Sequence, residues 1–241
     1  MHDIRYNEIQ DEMVVPVPYS NAILTFRGGA DGQEAPIRII QGPKVGEINM
    51  RLDIDPIHNE VFVPDGDRIR VYPLDANGDV APIRILEGPD TKLSNVESLA
   101  VDSINNILVV GLHVNKAANN PDGSILVFNR TDSGNVKPRS VIHGPKTGIV
   151  RINQMAVYPA NRLIVATMPG NVRMMESPDA FLGVWTYEDN GDIAPKWKFP
   201  IGPVTTLRKP FGVVLNPKDK EVIISDMRLN GIVIFSAPEI F

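Results

Sequence analysis

His2, His58, His113 and His143 are the side chains of this 241-residue chain best suited to a transition metal, and their spacing does not serve one. None stands in a His-x-His or His-Glu pair at ligand spacing, so a zinc site has no local frame. His58 and His143 fall at turn or strand-edge positions, where hydrogen bonding is a sufficient role. The chain contains no cysteine, which removes thiolate zinc sites, cysteine nucleophiles and disulfides together. Ser20, Ser98 and Ser225 lack the Gly-x-Ser-x-Gly elbow of a serine hydrolase. Gly28-Gly29-Ala30-Asp31-Gly32 has the composition of a phosphate loop but lies between two strand-like runs, with no helix N-terminus to hold phosphate. Asn129-Arg130-Thr131 is a glycosylation sequon by letter, of consequence only in a eukaryotic secretory pathway.

The elements that must position any chemistry form a tandem repeat. Ala35-Pro36-Ile37-Arg38-Ile39-Ile40-Gln41-Gly42-Pro43 returns as Ala81-Pro82-Ile83-Arg84-Ile85-Leu86-Glu87-Gly88-Pro89 and as Lys137-Pro138-Arg139-Ser140-Val141-Ile142-His143-Gly144-Pro145. A fourth copy runs from Ala194-Pro195-Lys196 to Gly202-Pro203. Successive Gly-Pro anchors lie 46, 56 and 58 residues apart, a period typical of propellers and solenoids.

Each unit contains four short β-like runs in the same order. In the second unit these are Leu52 to Asp55, Glu60 to Val63, Arg68 to Tyr72 and Pro82 to Leu86, separated by Pro-, Asn- and Gly-rich turns. Strands this short, joined by such turns, make an antiparallel meander. Gly32, Gly78, Gly134 and Gly191 each precede the repeated proline by four residues and supply a positive-φ turn before the fourth strand. The proline, which has no N–H to donate, is expected to open that outermost edge strand. The fold class predicted is all-β, a β-propeller of four-stranded antiparallel blades, since hairpin turns between every strand disfavour a stacked solenoid. Five blades are recognisable, at about 2–41, 50–87, 97–143, 153–200 and 211–235, within one domain spanning 1–241.

The fifth blade has no candidate for its outer strand, and ring closure has three readings. One is a five-bladed ring with a three-stranded last blade. The second is a fragment of a six-bladed ring, and the third is an open arc completed by another chain. A fragment or an unusual closure is expected over an ordinary ring, and open blade edges offer a route to self-association.

A net charge of −5 without any Lys or Arg run argues against nucleic acid and anionic membrane as partners. No apolar run approaches a membrane span, and Met1-His2-Asp3-Ile4-Arg5-Tyr6 does not begin a signal peptide. A periplasmic or extracellular location is expected if a leader has been removed, with the cytoplasm as the alternative.

Leu52-Asp53-Ile54-Asp55, Glu60-Val61-Phe62-Val63-Pro64-Asp65 and Arg68-Ile69-Arg70-Val71-Tyr72 resemble the NHL-type repeat, within the broader gluconolactonase-like group of propellers. The added Pro-Ile-Arg and Gly-Pro elements look like a subgroup of exported bacterial proteins. Such propellers include scaffolds, lyases and lactone hydrolases, so the likeness bears on fold more than on activity.

In lactonase-like members, Glu, Asn and Asp before the inner strands hold a divalent metal that polarises a lactone carbonyl and activates water. The matching positions here hold His2, Met50, Glu97, Asn153 and Phe211. Glu97 and Asn153 fit this pattern, with Asp226 as a third candidate ligand from the second strand of the last blade. Ca²⁺ or another divalent metal is the implied cofactor, although Ca²⁺ takes six to eight oxygens.

The loops between second and third strands lengthen to 111–123 and 167–181 in the third and fourth units, on the face that surrounds the central channel. Insertions on one face of a repeat protein mark a candidate binding surface. Asn49, Asn95, His113, Asn115, Lys116, Asn171, Arg173 and Arg228 are its candidate residues. The function expected is a non-catalytic scaffold for a protein or glycan partner. A metal-dependent lactonase-like hydrolase and a structural subunit of an assembly are the alternatives.

Overall fold

The computed structural model describes residues 3–113, 123–171, 174–199 and 207–241. The strands are β1 (Arg5–Asn7), β2 (Glu12–Val17), β3 (Ala22–Arg27) and β4 (Arg38–Gln41) in the first blade. The second blade contains β5 (Asp53–Asp55), β6 (Glu60–Asp65), β7 (Arg68–Pro73) and β8 (Arg84–Leu86). The third contains β9 (Val96–Asp102), β10 (Ile107–Leu112), β11 (Ser124–Asn129) and β12 (Ser140–Ile142). The fourth contains β13 (Met155–Tyr158), β14 (Leu163–Met168), β15 (Phe181–Thr186) and β16 (Trp197–Phe199). The last contains β17 (Pro210–Asn216), β18 (Glu221–Asp226) and β19 (Gly231–Ser236). Each sheet is an antiparallel meander in sequence order, and the five stand in a ring.

Strand periodicity divides every central strand between two neighbours. In β10, Ile107 and Val109 pack toward the fourth blade among Ile164, Ala166 and Trp185. Leu108 and Val110 point the other way, among Phe62, Ile69 and Val71 of the second blade. One apolar cluster forms at each of the four junctions between consecutive blades. Alternate residues therefore bury themselves on opposite faces of a thin sheet, and an all-apolar strand results.

The repeated motif does more than begin a strand. The residue after each proline donates its N–H to the third strand of the blade, as Ile37 does to Thr25 O at 2.7 Å, Ile83 to Val71 O at 2.8 Å, and Arg139 to Val127 O and Lys196 to Val184 O at 2.7 Å. The fourth strand proper starts one residue further on, so the proline lies just outside the ladder. Gly78, Gly134 and Gly191 adopt positive φ and form single parallel bridges to Ile40, Leu86 and Ile142 of the preceding blade.

The next side chain completes the staple. Asp79, Asn135 and Asp192 accept the N–H of Lys44, Asp90 and Lys146, two residues after Gly42, Gly88 and Gly144, at 2.7–2.8 Å. A Cβ on any of those three glycines would lie 2.4–2.6 Å from the nearest atom of that acidic or amide side chain. The glycine of Gly-Pro is thus required by close approach as well as by φ.

The seam between the fifth and first blades is built differently. Ile232 and Ile234 of β19 are 70% and 56% exposed, whereas Ile125 and Val127 at the same positions of β11 are fully buried. Ile4 and Tyr6 of the first blade are also exposed. A cavity of about 580 Å³ opens between Ile4 and Arg5 on one side and Val214, Ile223 and Ile232 on the other. No helix among the described residues is long and apolar enough to cross a membrane.

Candidate functional site

Polar side chains converge on the axis, where the inner strands begin. Arg5 donates through Nε to Asp53 Oδ1 and through a terminal nitrogen to Asp3 Oδ1, both at 2.7 Å. Asp53 Oδ2 accepts the N–H of Val101 at 2.8 Å. Asp3 Oδ1 also accepts from Gln154 Nε2 at 3.1 Å, and Gln154 Oε1 accepts the N–H of Val213 at 3.1 Å. One hydrogen-bonded chain therefore joins all five blades across the channel. Burial raises the Asp3 carboxyl pKa despite the attraction of Arg5 and Arg51. Burial lowers that of Arg51. For Arg5 burial works against the cation, but Asp53 and Asp3 outweigh it and the guanidinium pKa rises.

The residues matched to the lactonase pattern lie beside this chain with guanidinium partners. Glu97, at the start of β9, accepts from Arg151 at 3.2 Å. Asn153 is buried, and its Oδ1 accepts a short hydrogen bond from Arg51. Asp226 is buried elsewhere, at the end of β18, where its two oxygens accept the N–H groups of Arg208, Lys209, Arg228 and Leu229 at 2.8–3.1 Å. Among the described residues no three His, Asp or Glu side chains converge as metal ligands. The donor set of Glu97 and Asn153 thus faces two cations, an electrostatic setting that disfavours a further divalent one.

The other candidates are dispersed over the channel face. Asn95, at a positive φ of 46°, takes the N–H of His113 on its carbonyl at 3.2 Å and gives its own N–H to Asp67 at 2.9 Å. Asn49 accepts from the N–H of Met50, a local turn contact. Asn171 gives its N–H to Ser177 Oγ at 3.2 Å. Asn115, Lys116 and Arg173 lie outside the described residues. His58 pairs through Nδ1 with the buried Asp55 at 2.8 Å, a turn contact, and the N–H of His143 meets Gly191 O at 3.1 Å.

Arg228 leads to a residue that sequence reading passed over. Glu176 Oε1, in the long loop of the fourth blade, accepts from Arg228 Nε and from a terminal nitrogen of Arg208, each at 3.0 Å. The hydrogen bond from Arg228, with Arg208 behind it, holds the Glu176 carboxyl below its ordinary pKa. Lys209 Nζ meets the carbonyl of Met174 at 3.3 Å. This clip ties the loop to the turn after β18, and both segments expose apolar side chains, Met174 and Met175 on the loop and Met227 and Leu229 on the turn. Met175 and Met227 are more than half exposed, at 67% and 58%. The clip's traces in the sequence are Met174-Met175 beside Glu176 and the alternation Asp226-Met227-Arg228-Leu229.

The fold defines the class: a five-bladed β-propeller with a three-stranded last blade. No family model matches the chain, the NHL type included, and no curated protein does. Among solved structures it is similar to a chain of the Kuenenia stuttgartiensis hydrazine synthase, with a TM-score of 0.66 and 14% identity over 96% of this chain and 63% of that one. It is also similar to a chain in the crystal structure of a mitotic checkpoint complex, with a TM-score of 0.62 and 12% identity over 96% of this chain and 60% of that one. The chain therefore spans less than two thirds of either structure's chain, and the likeness is one of fold.

Proposed function

We propose that this propeller is a non-catalytic interaction scaffold, and that its partner is a protein docked on the loop-rich face at the Glu176 clip. The observation that carries this reading is the pairing of Glu176 with Arg208 and Arg228, which joins a loop that exposes Met174 and Met175 to a turn that exposes Met227 and Leu229. Water-facing methionines are costly unless covered, and their flexible thioether chains adapt to apolar partner surfaces. Exposed apolar side chains beside paired charges match the composition of a transient protein interface. A glycan is the weaker fit, because sugar faces stack on aromatic rings and the patch has aliphatic and thioether side chains.

The test is affinity capture from cells of the source organism with the wild-type protein and with Met175→Glu/Met227→Glu. Both substitutions are on exposed side chains, so melting temperature should hold. Loss of a specific co-purifying protein from the variant is the expected result. Identical capture by a variant that melts like wild type would refute the placement.

A further inference from the structure

A cavity of about 450 Å³ opens between the long loop of the fourth blade, its outer strand β16 and the residues just before β17. Its apolar lining is Ala180, Phe181 and Leu207, each less than a tenth exposed. Lys198 and Arg208 line the same space, and Glu176 is the one carboxylate among the lining residues. The volume lies within the range of small-molecule sites, about 300–1,000 Å³, and an apolar floor with a few charged groups is their usual composition. The walls are fixed without a ligand. Ser177 Oγ accepts the N–H groups of Asn171 and Asp179 at 3.2 and 3.3 Å, and its carbonyl accepts that of Ala180 at 3.1 Å. Gly170, at a φ of 72°, has no room for a Cβ, which would lie 2.3 Å from Ser177 Oγ. On the opposite wall, Asp226 holds the N–H of Arg208 at 2.8 Å. A wall already ordered lowers the entropy lost on binding.

Charge in this cavity is weighted toward the positive. Lys198 Nζ stands 4.3 Å from the centroid of the Phe181 ring, and among the described residues no carboxylate pairs with it. The ring attracts the ammonium through its quadrupole and leaves its N–H groups able to donate elsewhere. Arg208 commits one terminal nitrogen to Glu176 Oε1 at 3.0 Å, and that same oxygen also accepts from Arg228. The single lining carboxylate is therefore already shared between two guanidinium groups, and the ammonium of Lys198 is left to be answered by something else.

We infer that this cavity binds a small organic anion, a carboxylate with an apolar body, whose head group lies between Lys198 and Arg208 and whose body covers Ala180, Phe181 and Leu207. Charge-assisted hydrogen bonds from the ammonium and from the remaining donors of the guanidinium fix the head group. Burial of the apolar body supplies the rest of the affinity. The site shares Glu176 and Arg208 with the docking patch but needs no docked protein, so it stands or falls without that reading.

The probe is 3-phenylpropionate, titrated into the full isotopically labelled protein with no partner present and followed through amide chemical shifts. Saturable binding with a Kd of about 1 mM is expected for a ligand of this size, with the largest shifts at Ala180, Leu207 and Arg208. The uncharged amide of the same acid should bind about tenfold more weakly. Lys198→Gln should weaken the carboxylate by about fivefold, and because Lys198 is exposed this variant should melt close to wild type. Glu176→Gln removes the one lining carboxylate and should leave the affinity equal or up to about threefold tighter, although it cuts the clip. No saturation by about 10 mM, equal binding of acid and amide, an unchanged Kd in Lys198→Gln, or shifts confined to residues away from the cavity would each overturn the inference.

Discussion

Gly144→Ala tests whether the Gly-Pro motif is a packing requirement. At Gly144 φ is +127°, outside the region an L-residue tolerates, and a forced conformation of this kind costs about 1–3 kcal/mol. The new Cβ would also sit 2.6 Å from Asp192 Cγ and 2.7 Å from Asp192 Cβ. A side chain rooted that close cannot rotate clear, so Asp192 must leave its hydrogen bond to the Lys146 N–H, a loss of about 1 kcal/mol. The sum is about 2–4 kcal/mol, or roughly 5 to 15 °C in melting temperature for a domain of this size. Gly78→Ala is the control: its φ is also positive, at 86°, but nothing lies within 4 Å of the added Cβ. It should cost only about 1–2 kcal/mol. Urea denaturation of both variants, of Asp192→Ala and of the Gly144→Ala/Asp192→Ala double variant measures each quantity. Asp192→Ala should cost about 1 kcal/mol alone and almost nothing on the Gly144→Ala background, because the bond is already lost there. Equal losses for the two glycines, or additivity in the double variant, would refute the argument.

Tyr187→Phe removes the buried hydroxyl that donates to Asp102 Oδ2 at 2.7 Å, so urea unfolding should show a loss of about 1.5–3 kcal/mol, the range for a bond to a charged group. Burial raises the Asp3 carboxyl pKa, so the native state holds this proton to higher pH than the unfolded chain. Stability therefore falls as pH rises from about 4 through the folded value. Asp3→Asn should flatten that part of a melting-temperature profile. Calcium at about 5 mM should move the melting temperature by less than about 1 °C, since Arg51 and Arg151 hold Asn153 and Glu97, and a larger rise would favour the lactonase-type metal reading.

Blade architecture was legible because the repeat spells out its own strand boundaries. Pro36, Pro82, Pro138 and Pro195 mark where third-strand pairing begins, and Gly32, Gly78, Gly134 and Gly191 adopt the positive φ expected of them. The bridge from Gly78 to Ile40 was not legible, because nothing local in either residue encodes a contact between neighbouring blades. Glu97 and Asn153 do lie at the channel, but the groups that span it are Asp3, Arg5, Asp53 and Gln154. Asp53 sits within a strand pattern whose aspartate reads equally well as a turn cap. The arginines meeting Glu97 and Asn153 lie on other blades, where spacing in the sequence carries no information about them.

The hydrogen-bonded chain from Val101 through Asp53, Arg5, Asp3 and Gln154 to Val213 gives the wheel an axle. In a linear repeat array each unit touches only its neighbours, and an end can fray while the middle stays folded. Here the first and fourth blades, which are not neighbours, share a carboxylate. Loosening either one strips a partner from the other within a desolvated centre, where an abandoned charge is expensive. The chain of contacts thereby couples blades that share no apolar interface.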